Sequence, residues 1–301
     1  MSTPITADSL GGLVERARNA CAGGAILNLL IEGRYQFDAL EEQFLLTYRA
    51  QAEMWQSRTR PGSLYMSHGE YIHRHGDGIQ YLIDELVKKS TGNRAIISLI
   101  DMKDLSASAD DPRPSFMIFQ AGFESGNKNV IHVTLYYRAL EVSRFLPINL
   151  AEAGLVLERI QGAIPEIRQF HILIHAFRAY QDPDFNCLVR SDLDVAEPDA
   201  IESATSAFDL GKIHAWLRSK LAAATVVETD ALTLLRDAVG ATKGYPEPLV
   251  GQLDAAILEL VRLAALRRTG AHVELLGETK SRENKYLADA MGTLEGMKEW
   301  N

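Results

Sequence analysis

Apolar residues along this chain change period several times, and each change predicts a change of element. Leu40, Phe44, Leu45, Tyr48, Ala52 and Trp55 recur at intervals of three and four, and the stretch from Leu10 to about Trp55 reads as helical. Arg58-Thr59-Arg60-Pro61-Gly62-Ser63 gathers turn formers around a proline that a helix interior does not tolerate, so an N-terminal helical segment spans 1–60. After Gly78, the positions Ile79, Leu82, Ile83, Leu86 and Val87 have helical spacing, and Ser90-Thr91-Gly92-Asn93 closes that helix. Residues 95–100 are apolar, largely β-branched and continuous, the pattern of a strand covered on both faces. Residues 116–123 and 130–137 predict two antiparallel strands around the hairpin-type loop 124–129. Helical periodicity returns from Asn149 to about Ile160, and 169–177 predicts a further strand.

From Ala196 onward the composition shifts to alanine, leucine and charge. Stripes at Leu210, Ile213, Leu217 and Leu221, then at Leu253, Ile257, Leu260, Val261 and Ala264, predict an all-helical extension over 196–301. The mixed region between, 61–195, is a core of helices and strands. The chain is thus of the α/β (α+β) class, a mixed sheet flanked by helices with a helical C-terminal extension.

A length of 301 residues with 47% apolar and 24% charged residues is that of a globular chain. Its net charge of -9 argues against a dedicated nucleic-acid binder, whose phosphate contacts need a basic face. Two cysteines, Cys21 and Cys187, are too few for a disulfide framework and lack metal-ligand spacing, which fits a reducing cytoplasm. The start of the chain has no signal-like apolar run, and no apolar segment approaches the ~20 residues that cross a bilayer. The expectation is a cytoplasmic protein with no membrane or nucleic-acid partner.

Three arginines, Arg94, Arg138 and Arg144, stand near expected element ends. A guanidinium stays charged and matches phosphate oxygens in a fixed fork, so three converging would hold a nucleotide monophosphate. Each taken singly reads equally as a solvated or ion-paired surface arginine. Asn149, two residues after Pro147, reads as a helix N-cap or, through its amide, as a partner for the edge of a uracil ring. His68, His73 and His75 invite a metal, but no cysteine or carboxylate pattern completes a site, so they read as exposed polar residues. Gly76-Asp77-Gly78 reads as a turn before a helix, a weak candidate for anion binding.

Taken together, Gly69 to about Phe185 resembles the catalytic core of the thymidylate synthases and the related cytidylate hydroxymethylases. The resemblance covers a little over a third of the chain. Asn93-Arg94-Ala95-Ile96-Ile97-Ser98 is similar to the family's paired-arginine segment, with only Arg94 retained; it implies an arginine that reaches the phosphate in the partner subunit. Pro114-Ser115-Phe116 through Gln120 falls on the family's Pro-Cys segment, with Ser115 at the position of the nucleophilic cysteine. Tyr137-Arg138-Ala139-Leu140-Glu141 resembles the Arg-Ser-x-Asp motif, which implies a phosphate contact for Arg138 and puts Glu141 in place of an aspartate near the base. Leu146-Pro147-Ile148-Asn149 resembles the Leu-Pro-x-Asn motif, whose asparagine recognises uracil. Phe177-Arg178-Ala179-Tyr180 is similar to the His-x-Tyr pair that contacts the sugar, with Tyr180 kept and Arg178 in place of the histidine.

The resemblance implies a pyrimidine nucleoside monophosphate as ligand, methylenetetrahydrofolate as one-carbon donor and a homodimer formed through the sheets. In the family a thiolate adds to C6 of the ring. A thiol with pKa of about 8.5 is partly ionised near neutrality, whereas the Ser115 hydroxyl needs a positioned base. No such base is evident beside it; His132 is on the next strand, where sequence does not orient its side chain. Two functions therefore stand side by side: a pyrimidine C5 methyl- or hydroxymethyltransferase with a lost or altered nucleophile, and a noncatalytic nucleotide-binding homologue that uses its helical C-terminus for protein interaction.

Overall fold

Buried and half-exposed residues alternate along four long strands, and that alternation organises the first of two units. The computed structural model describes residues 4–101, 113–182, 185, 189–223, 228–269 and 273–298, so Cys187 lies outside the described residues. One unit comprises Met1–Pro61, Met66–Ser106 and Arg113–Cys187; the other comprises Gly62–Tyr65, Ala107–Pro112 and Leu188–Asn301.

In the first unit the order is β1 (Ile5–Thr6), α1 (Leu10–Cys21), β2 (Ile26–Gln36), a 3-10 turn at Phe37–Glu41, α2 (Gln43–Trp55), α3 (His68–His73), α4 (Gly78–Lys88), β3 (Ile96–Ser98), β4 (Phe116–Glu124), β5 (Asn127–Tyr137), β6 (Leu140–Glu141), α5 (Phe145–Ala163) and β7 (Gln169–Tyr180). The sheet runs β1-β2-β7-β5-β4-β3, with β6 joined to β7 beyond β5. Strand β5 lies parallel to β7 because α5 returns the chain to the starting edge, whereas β4 and β5 form an antiparallel hairpin. Leu29, Ile31 and Tyr35 of β2, Phe170, Ile172 and Ile174 of β7, Ile131, Val133 and Leu135 of β5 and Phe119 and Ala121 of β4 are buried in one core with α1, α2, α4 and α5. The alternate row, with Leu30, Arg34, His132, Tyr136, Leu173 and Phe177, is half-buried or exposed, so these strands are not covered equally on both faces.

Three expectations need correction. The stretch Leu10–Trp55 is not helical throughout: between α1 and α2 it carries β2, paired antiparallel with β7 over its whole length. The apolar run Ile26, Leu27, Leu29, Leu30, Ile31 blurs the two-residue period, which emerges only when β7 selects one face. The hairpin loop is shorter than 124–129, because Glu124 already pairs with Asn127 and Gly126 takes a φ of 76° in the turn. Helix α5 begins at Phe145, so Asn149 stands a turn inside it and is not its N-cap. In contrast, Asp77 does cap α4 by accepting from Gln80 N–H at 3.0 Å. Burial raises the Asp77 carboxyl, but the Gln80 N–H together with Arg159 and Arg58 outweighs it and brings the pKa to about 2.

The second unit carries α6 (Pro198–Ser206), α7 (Leu210–Ala222), α8 (Asp230–Ala241), α9 (Glu247–Arg268) and α10 (Val273–Lys298), so the C-terminal region is helical as its stripes predict. Ile213, Leu217, Leu253 and Leu260 enter one core, while Val261, rotated about 100° from Leu260, is exposed. No helix among the described residues is long and apolar enough to cross a membrane. A charged pair lies inside this unit: Lys220, 2% exposed, donates to both oxygens of Asp194 at 2.7 and 2.8 Å and to the Glu228 carbonyl at 2.6 Å. Ser191 Oγ–H donates to Asp194 as well. Removing one member of such a pair leaves the other charge buried alone. Lys220→Met is therefore expected to destabilise the protein by about 3–5 kcal/mol, read from urea denaturation; a loss below ~1 kcal/mol would contradict this account.

Candidate functional site

Ser115 occupies a bend at the start of β4, opposite the end of β5, where the Arg138 N–H donates to its carbonyl at 2.9 Å. The Arg138 side chain turns back along the same edge: Nε donates to Pro114 O at 3.2 Å and Nη2 to Arg113 O at 3.1 Å. Desolvation and the neighbouring Arg113 lower its pKa, which still leaves a guanidinium charged at any ordinary pH. Tyr180 closes the group from the end of β7. Burial, then the Glu141 and Asp182 carboxylates, raise its hydroxyl pKa against Arg178 and Arg138. Ser115, Arg138, Glu141 and Tyr180 thus gather at one end of the sheet.

Within that group Glu141 has a definite task. Its carboxylate, 2% exposed, accepts the N–H groups of Ser143 (2.9 Å), Arg144 (2.7 Å), Phe145 (3.0 Å) and Asp182 (3.1 Å), together with the Ser143 hydroxyl. It is the cap that Asn149 is not, reached from four residues before the helix. A carboxylate that accepts this many donors has its lone pairs occupied. Arg144 is exposed and donates to Phe185 O at 3.3 Å. Arg94 is exposed at the far end of β4, where Ala95 O accepts from Ala121 N. The register Ile96↔Gln120 sets Arg94 opposite Gly122, seven residues or about 23 Å of strand from Ser115, so one chain does not bring Arg94 to Arg138.

His132 is not a base for Ser115. It lies opposite Gly122 on the half-exposed row of the sheet, with Nδ1 3.1 Å from His171 Nδ1. Among the described residues no histidine or carboxylate is hydrogen-bonded to Ser115 Oγ.

Beneath the sheet end, on the buried side, the structure reveals a group that sequence reading missed. His68 is fully buried, contrary to the exposed position expected of it, whereas His75 is exposed. Ser67 starts α3 through a capping box with Glu70, and this directs the His68 ring inward. Its Nδ1 lies 2.9 Å from each oxygen of Glu152, itself 1% exposed. Trp55, Phe116 and Phe145 surround the imidazole at centroid distances of 4.8, 5.5 and 6.0 Å, and Phe116 stacks on Tyr137 at 4.9 Å. Asn149 and Glu152 are three residues apart on α5 and project from the same face.

The partners within this group are incomplete. His68 Nε2, the Tyr137 hydroxyl and both polar atoms of Asn149 are buried without a hydrogen bond among the described residues. Buried polar groups are nearly always paired, and such exceptions concentrate where a ligand or an ordered water completes the set. Burial, and then the Glu152 charge, push the Tyr137 hydroxyl well above its usual range, so it remains a donor. Asn149 carries a signal through its motif, and a second one, Glu152, is a carboxylate in the middle of an apolar helix. Among the described residues, no group of three or more histidine, cysteine or acidic side chains could hold a metal.

Burial raises Glu152 above the ordinary 4.5, opposed by His68 through charge and hydrogen bond. A raised carboxyl contributes stability that is fully present below pH 4.5 and is lost as the pH rises through the folded value. Unfolding free energies of wild type and Glu152→Gln, measured from pH 4 to 8, should therefore differ progressively, with wild type losing up to about 1.4 kcal/mol per pH unit in that window. Parallel profiles would refute the assignment.

No protein-family profile matches the chain, and no curated protein matches it. Among solved structures it is similar to thymidylate synthase from T4 phage, with a TM-score of 0.38 and 12% identity over 54% of this chain and 70% of that one.

Proposed function

We propose that this protein binds a pyrimidine nucleoside monophosphate at the Ser115–Arg138–Tyr180 end of the sheet, the base directed toward Asn149, and does not transfer a one-carbon unit to C5. The observation that carries the reading is Asn149: 2% exposed, with donor and acceptor both unpaired, a turn inside a helix that needs neither for capping. Its motif resemblance and its chemistry agree, since an amide offers both a donor and an acceptor to the edge of a pyrimidine ring. Arg138 supplies the cation for phosphate, and Tyr180 the hydroxyl for the sugar. The motif resemblance also implies methylenetetrahydrofolate, but the residues do not fit its use. Transfer from that donor follows attack on C6, and Ser115 has neither a thiolate's acidity nor a base at hand.

The same reading includes a homodimer formed through the half-exposed row of the sheet, in which Arg94 would reach the other subunit's phosphate. Leu27 and Phe177 on this side of the sheet are 62% and 50% exposed, apolar surface that such an interface would cover. Sedimentation equilibrium is expected to give twice the chain mass, and a monomer at micromolar concentration would remove Arg94 from the site.

Calorimetric titration with deoxyuridylate and deoxycytidylate tests the central reading. One of them should bind, and Arg138→Ala should weaken it at least about tenfold, the worth of a charge-assisted hydrogen bond. Tritium release from the C5-labelled nucleotide in the presence of folate should stay at background. Absence of binding would overturn the nucleotide assignment, and release by the wild-type protein would restore the transferase.

A further inference from the structure

The His68–Glu152 pair has the form of an oriented base, and nothing in the nucleotide reading so far uses it. Equal distances of 2.9 Å from Nδ1 to both Glu152 oxygens are those of one N–H shared by a carboxylate. Assigning the proton to Nδ1 leaves the lone pair of the neutral ring on Nε2, the nitrogen that has no partner. The unpaired atoms then have defined roles. His68 Nε2 and Asn149 Oδ1 accept; Tyr137 O–H and Asn149 Nδ2 donate. Phosphate and sugar chemistry do not call for this combination. A planar heterocycle with an N–H flanked by carbonyls does.

We propose that His68 Nε2 accepts the ring N–H of a bound lactam- or imide-type heterocycle, with Glu152 as the positioning residue that fixes the ring and its tautomer. The identity of the ligand rests on the nucleotide reading; the role of the dyad is additional to it. Because Nε2 must carry a free lone pair, a protein whose His68 begins protonated releases a proton on binding. The groups facing the imidazole are Glu152 and Phe145 from α5, Phe116 from β4 and Trp55 from α2, with Tyr137 of β5 stacked on Phe116. Glu152 is the acidic member of that set and the one hydrogen-bonded to the ring.

Calorimetry with deoxyuridylate and deoxycytidylate from pH 5.5 to 8.5, in two buffers of different ionisation enthalpy, reads the proton directly. The nucleotide phosphate titrates near pH 6 in every variant, so the difference from His68→Gln isolates the imidazole. Wild-type affinity should fall up to tenfold more per pH unit on the acid side than that of His68→Gln, with up to one additional proton released. Glu152→Gln should move the midpoint of the wild-type profile to lower pH, because the imidazolium loses its counter-charge; this variant decides the matter if His68→Gln does not fold. Binding with identical profiles in wild type and His68→Gln, or an unmoved midpoint in Glu152→Gln, overturns the dyad and leaves the nucleotide reading intact. Binding of deoxycytidylate alone, whose N3 bears no hydrogen, likewise overturns the dyad, and failure of both nucleotides to bind wild type overturns both readings.

Discussion

One buried carboxylate sets the phase of everything around the candidate site. Glu141 draws the N–H groups of Ser143, Arg144 and Phe145 together with that of Asp182, so it joins the first turn of α5 to the exit of β7. An anion at a helix N-terminus is favourable both as a hydrogen-bond acceptor and through the helix dipole. Here it also fixes where the helix begins. A start at Phe145 aligns Phe145, Asn149 and Glu152 in one stripe toward α2, α3 and β4; a start one residue later would turn that stripe by about 100° and leave His68 without its partner.

The same geometry separates two chemistries that share one end of the sheet. Ser115, Arg138 and Tyr180 form a polar rim partly open to solvent, suited to charge and hydroxyl groups. Below them His68, Glu152, Tyr137 and Asn149 lie among Trp55, Phe116 and Phe145, where desolvation makes each hydrogen bond count for more. Arg49 braces this arrangement from α2 by a bidentate bond to Glu158 of α5, at 2.7 and 2.8 Å. The polar atoms of the lower group are therefore held in register by elements that have no other reason to carry them.

Much of this is legible in the sequence alone. Strands β3, β4, β5 and β7 and helices α4, α7 and α9 follow from the spacing of their own apolar residues. The failures share a cause, which is dependence on distant partners. Strand β2 reads as part of a helical stretch because its alternation is imposed by β7. Asn149 reads as a cap because its short side chain and a nearby proline satisfy local rules, whereas the cap comes from Glu141 upstream. His68 reads as exposed because its neighbours are polar; what buries it is Glu152, 84 residues away. Local patterns specify elements well, and the pairing of single polar groups across the core poorly.

The order of the strands also shapes how the chain must be made. Strand β2 pairs with β7, and Glu32 and His171, in contact across that seam, are 139 residues apart. At a synthesis rate of about 5–20 residues per second, β2 emerges some 7–30 s before its mate. During that interval a segment as apolar as Ile26–Ile31 has an unsatisfied backbone edge, open to pairing with any other nascent chain. Helix α1, made just before it and packed with it in one core of the folded unit, offers the first apolar surface that can shelter it.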